Sequence, residues 1–180
     1  MYAATRAERT MSARPHSRPH SHPHQRPVHT NAVHMALRRC QTIAPEDVAM
    51  QHRIMLTARH EFARGVNCAL HWRSLADVAN LAETFAHMGI GSGPDAERLV
   101  TVAQETLFHV MQRQRERKSW TLHAAELEAL DWLIALHLKQ LSCCDMGEFE
   151  RALLSTHQRV AQARAGNAPA GAIVIEGEIT

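Results

Sequence analysis

Histidine and cysteine are the side chains of this sequence best equipped to hold a metal or attack a substrate. There are fourteen histidines and four cysteines in 180 residues. His16, His20, His22, His24, His29 and His34 lie within or just after a tetrapeptide repeat, RPHS-RPHS-HPHQ-RPVH, that covers residues 14–29. Neutral imidazoles at this density chelate zinc, nickel or copper. His16, His20, His22 and His24 are therefore the candidate metal ligands, although a tail of this kind offers no fixed partners to orient them. Two Glu-x-x-x-His pairs follow, Glu83/His87 and Glu105/His109. That spacing sets both members on one helix face, whereas di-iron carboxylate bundles use Glu-x-x-His. His60-Glu61 starts a zinc-protease pattern, but Arg64 stands where its second histidine belongs.

The cysteines are Cys40, Cys68, Cys143 and Cys144, with no C-x-x-C. Adjacent Cys143 and Cys144 are poorly placed to bridge each other. They read as two small semi-buried side chains, with a redox or soft-metal role as the alternative. No G-x-S-x-G elbow is present, and the glycine run GIGSGP at 89–94 lacks the Gly-Lys-Ser/Thr of a phosphate loop. No catalytic residue and no cofactor is expected, and the chain reads as a non-enzyme.

A second set of residues suits phosphate rather than metal. Arg113, Arg115, Arg117 and Lys118 cluster at the end of a predicted helix, where cations complement the helix dipole. They are the nucleic-acid candidates. The charge distribution argues against that use. Residues 1–39 carry seven arginines against Glu8, a formal +6, while the remainder carries 13 basic and 17 acidic side chains, a formal −4. An acidic body repels a phosphate backbone. Residues 74–93 come nearest to a helix-turn-helix but lack a tight central turn, and the helix after Cys144 opens with Asp145, Glu148 and Glu150.

The elements that must position these residues are helical from residue 42 onward. Pro45 opens a first helix with Glu46 and Asp47 in its first turn. Val48, Met55, Ala58 and Phe62 face the core, and Gly65 closes it. A loop holding Val66, Asn67, Cys68 and Trp72 leads to Ser74, the expected cap of a second helix with Leu75, Val78, Ala82 and Phe85 inward and Gly89 as its stop. Pro94 opens a third, with Leu99, Val102 or Ala103, Leu107, Val110 and Met111 inward. Thr121 caps a fourth, whose stripe of Leu127, Leu130, Ile134, Leu138 and Leu141 is widened by Leu133 and Leu136. A helix this apolar is central or lies in a subunit interface. The fifth carries Phe149, Ala152, Leu153 and Val160 and ends near Gly166.

The two ends differ from this body. Four of the seven prolines, Pro15, Pro19, Pro23 and Pro27, recur every fourth residue, which predicts a disordered tail over residues 1–41. Met35 is an alternative start for the protein. Residues 166–180 read as a flexible tail with a short β-prone run, Ala172–Ile175. Absence of a secretory core and the cysteine usage point to a reducing, cytoplasmic compartment. No run approaches the apolar length of a membrane span.

Three segments carry a resemblance: TIAPEDV at 42–48, Trp-x-x-Leu-Ala-Asp-Val at Trp72–Val78, and QLS with EFERAL at 140–153. Over roughly residues 42–160 the chain resembles small helical proteins of prophages and mobile elements in Gram-negative bacteria. Some of these carry a Fis-type regulator label, which implies a C-terminal DNA-binding helix-turn-helix.

The expectation is an all-α bundle of about five helices over 42–165. It is expected to act through contacts with a protein partner or with a second copy, and not with a membrane. DNA binding through Arg113, Arg115, Arg117, Lys118 and the arginine-rich tail is the alternative, and metal binding by the tail a second one.

Overall fold

The computed structural model describes residues 32–91 and 93–166. These form an all-α bundle of six helices with no strand: α1 (Ala32–Arg39), α2 (Pro45–Ala63), α3 (Cys68–His87), α4 (Ala96–Arg117), α5 (Ala124–Cys143) and α6 (Met146–Arg164). Helices α2 to α6 correspond to the five expected. Helix α1 lies inside the stretch that composition assigned to the tail. It packs against α6, where Arg39 pairs with Glu150 at 3.3 Å. A lone bridge between Thr42 and Asp145 fixes the same junction, and the Met146 N–H donates to the Gln41 carbonyl at 2.9 Å.

The helix ends follow local chemistry. Helix α2 starts on Pro45 after an extended Ala44, since proline at the first helical position sacrifices no needed donor. It closes with Gly65 at φ 77°, while the Gly65 and Val66 N–H groups donate to the Phe62 and Glu61 carbonyls, a Schellman arrangement. Gly89 closes α3 in the same way, and Ile90 beyond it packs on Phe85 in one buried cluster.

Two expected caps move. Ser74 lies within α3, not at its start, and its hydroxyl donates to the Leu70 carbonyl. Asn67, in the left-handed region at φ 44°, starts the helix instead. The reason is Trp72: fully buried, with Nε1 donating to the Leu107 carbonyl at 2.9 Å, it needs Cys68 one turn earlier on the same buried face. Thr121 likewise gives way to His123, whose N–H donates to Glu126 Oε2 at 2.7 Å. Glu126 is held there by Arg113.

Helix α5 is the central element and packs against α2, α3 and α4. Its wide apolar surface, Leu130, Leu133, Ile134, Leu136 and Leu141, is buried within the bundle. The main core runs from Phe62 and Trp72 through Leu107 to Leu133, and a smaller one gathers Phe85, Ile90, Leu141, Cys144 and Ala152. Among the described residues no helix is long and apolar enough to cross a membrane.

Candidate functional site

Two depressions at the two sides of α3 hold the side chains most able to recognise another molecule. The first is shallow, about 470 Å³, between α2 and α3. Helix α2 buries Met55, Ala58 and Phe62, and Met50 and Ile54 lie beside that stripe rather than on it. Met50 and Ile54 are thereby left 48% and 51% exposed, and Leu70 on α3 is 60% exposed. All three line the depression, with Arg53 and His71 at its edge and no carboxylate in its lining.

The second is deeper, about 770 Å³, between α3, α5 and α6. Its wall is apolar where Val78, Leu81, Leu141, Phe149, Leu153 and Val160 meet. His137 of α5 closes its inner side and is 4% exposed. Burial pushes this imidazole down to about 4, and the Gln140 side chain only partly opposes that. The ring is therefore neutral near physiological pH, with one donor and one acceptor nitrogen, and Nδ1 is buried without a hydrogen-bond partner.

Thr156 of α6 lies in the same wall, with its hydroxyl 2.7 Å from that of Thr84. Thr84 is also placed to donate to the Asn80 carbonyl and Thr156 to the Ala152 carbonyl. Two hydroxyl protons thus face three contacts, and one contact is always unmade. At the mouth, burial raises the Asp77 carboxyl while Arg73, Arg164 and His157 hold it down.

The residues singled out from the sequence are dispersed by the fold. His16, His20, His22 and His24, with most of the 1–41 tail and the Ala172–Ile175 run, lie outside the described residues. Among the described residues no group of three or more His, Cys, Asp and Glu side chains could hold a metal ion. Glu83 does not serve His87: it takes Arg159 as an ion-pair partner and accepts from Gln104 Nε2 at 3.0 Å.

The cationic cluster divides. Arg113 grips Glu126 with both terminal nitrogens at 2.8 and 2.7 Å and donates to the Thr121 carbonyl. Burial disfavours the Glu126 carboxylate, yet Arg113 and the His123 N–H outweigh it and hold its pKa below the ordinary value. Arg115, Arg117 and Lys118 remain exposed.

Residues 74–87 of the 74–93 stretch continue α3 without a break, so the central turn of a helix-turn-helix is absent from that part. Asp145 and Glu148 cap α6 reciprocally, at 2.7 and 2.9 Å. Cys143 is exposed and Cys144 buried, both as free thiols. Burial, and then the nearby Glu148 charge, push Cys144 up to about 11, which keeps it a protonated, weak nucleophile.

Sequence reasoning passed over both depressions. The signals were present: Met50 and Ile54 are apolar residues off the buried stripe of α2, and His137 sits three residues after Ile134, on the inward stripe of α5. No protein-family model matches the chain, and no curated protein or solved structure does.

Proposed function

We propose that this chain is a non-enzymatic helical interaction protein that associates with a second copy of itself through the α2–α3 face. The observation that carries the reading is the convergence of three half-exposed apolar side chains, Met50, Ile54 and Leu70, on one depression without a carboxylate. Isolated exposed leucines are ordinary, but apolar side chains gathered on one surface mark protein contact. The resemblance of residues 42–160 to small prophage and mobile-element proteins fits an accessory role of this kind. Sedimentation equilibrium at micromolar concentration tests it. A dimer is expected, reduced by Ile54→Glu or Leu70→Glu to the monomer mass of 20.2 kDa. A wild-type chain that is monomeric throughout overturns the reading.

One observation favours a second reading. Arg115, Arg117 and Lys118 are exposed together at the end of α4, as contacts for a nucleic-acid backbone would be. That reading expects duplex DNA affinity that falls steeply with salt and is lost when all three become alanine. A gel shift unchanged in that variant removes it.

A further inference from the structure

We infer that the groove between α3, α5 and α6 seats this chain's own C-terminal segment, Ala172–Ile179, laid back along α6 as an extended strip. The segment follows the last described residue, Gly166. The groove is separate from the α2–α3 face, and its occupancy does not depend on association there.

The groove suits an apolar occupant. Helix α6 buries only Gly147, Ala152 and Thr156, and its Phe149, Leu153 and Val160 are left partly open to solvent. Val78 and Leu81 of α3 and Leu141 of α5 complete an apolar lining around about 770 Å³. Apolar side chains gathered in this way mark a contact surface, where single exposed ones would not.

The segment has the matching pattern. In an extended chain alternate residues share a face. One face here reads Ile173, Ile175, Gly177 and Ile179, and the other reads Ala172, Val174, Glu176, Glu178 and Thr180. The first is apolar throughout, and the second turns charged after Val174. With the isoleucines inward, both carboxylates stay in water on the outer side. The lining holds Arg164 and His157 against one acid, Asp77, which Arg73 also faces. The two glutamates therefore meet no net repulsion at the rim.

Connection and length select this segment over a foreign one. Helix α6 ends at Arg164, which itself lines the groove. Gly166, at φ 75°, donates its N–H to the Ala163 carbonyl at 3.0 Å and turns the chain out of the helix. From Gly166 the chain reaches about 23 Å by Ile173, enough to reverse direction. Extended, Ile173 to Ile179 covers about 20 Å, and Phe149 to Val160 along α6 covers about 16 Å. So short a tether holds the segment at about millimolar local concentration, and a weak apolar contact then suffices to seat it. Seating also withdraws an isoleucine-rich, β-prone run from pairing with other chains.

The test uses the full chain with labelled isoleucine, leucine and valine methyl groups. Nuclear Overhauser cross-peaks are expected from Ile173 and Ile175 to Leu81, Leu153 and Val160. In an equal mixture of labelled and unlabelled chains, an isotope filter for contacts between chains should remove those cross-peaks. Ile173→Asp combined with Ile175→Asp should erase them and move the Leu153 and Val160 methyl shifts. Leu153→Asp should erase them from the groove side, and Glu178→Gln should keep them all. If Leu153→Asp does not fold, the tail variant still decides, since its changes lie beyond α6. Four results each overturn the proposal: no such cross-peaks in the wild type, cross-peaks that pass the filter and so place a second copy's segment in the groove, Leu153 and Val160 shifts unmoved in the tail variant, or tail cross-peaks that survive in a folded Leu153→Asp chain.

Discussion

The two sides of α3 show opposite solutions to burial. Toward α2 and α4 the helix is mostly dry: Trp72, Leu75, Ala79 and Ala82 are fully buried, the one polar atom of Trp72 is paired with Leu107, and the buried Gln104 of α4 is paired with Glu83. Toward α5 and α6 polar side chains are buried, with Thr84 against Thr156 and Gln140 donating to the Ala82 carbonyl, and Asn80 and His137 are buried as well. Several of these are incompletely satisfied: Asn80 Oδ1, His137 Nδ1 and Gln140 Oε1 have no hydrogen-bond partner. A dry, close-packed side gives stability, and in the proposed reading contact with a second copy falls to Leu70 and its α2 neighbours Met50 and Ile54. A polar side gives up some stability and gains a wall that can recognise hydrogen-bonding groups.

The largest expected effect breaks the dry side. Trp72→Ala removes the biggest buried side chain together with its hydrogen bond to Leu107. A loss of about 3–5 kcal/mol is expected for a buried aromatic truncation, read by urea unfolding. A loss below about 1 kcal/mol would show that Trp72 does not anchor the α3–α4 contact.

The next effect belongs to the polar side and depends on pH. His137 has a folded-state value pushed down to about 4 from 6.5. The unfolded chain therefore binds the extra proton first as pH falls. Stability is intact above the unfolded value, declines between about pH 6.5 and pH 4, and levels off below. The total decline from this group is about 3 kcal/mol. His137→Phe should flatten that part of the stability–pH curve. A curve of unchanged slope in the variant would assign the loss to other groups.

Gly91 sharpens the boundary between the two sides. It adopts φ 61°, and a Cβ there would lie 2.8 Å from Gln140 Cα, a backbone atom of α5 that cannot step aside. Gly91→Ala should cost about 1–3 kcal/mol by overpacking, seen as a lower melting temperature. An unchanged melt would mean that the turn after α3 can move away from α5.

The smallest effect on stability is the most informative about function. Ile54 is half-exposed, so Ile54→Glu should change folding free energy by no more than about 0.5 kcal/mol while it abolishes association. A variant that loses several kcal/mol would place Ile54 in the core of the bundle rather than on a contact face.

The helical plan was legible because it is written in local rules. Pro45, Gly65 and Gly89 mark ends by backbone chemistry alone, and the inward stripe of α5 follows from its period. The shifted starts of α3 and α5 were not legible, since Trp72 and Glu126 are fixed by distant partners, Leu107 and Arg113. The same holds for the sites. Arg113 looks like its cationic neighbours in sequence, but a carboxylate thirteen residues away claims it. His137 looks like any of eight body histidines until the fold buries it beside Phe85 of α3. Met50 and Ile54 had a readable signal, apolar residues on the outward face of α2, which a search for inward stripes discards.

In the proposed reading, chains meet at the α2–α3 face and not at the α3–α6 groove. Isotope-filtered NMR on a mixture of labelled and unlabelled chains tests it most directly. Intermolecular contacts are expected from the methyl groups of Met50, Ile54 and Leu70 and none from Leu153 or Val160. Intermolecular contacts from Leu153 and Val160 instead, or none from any of these methyl groups at micromolar concentration, would contradict it.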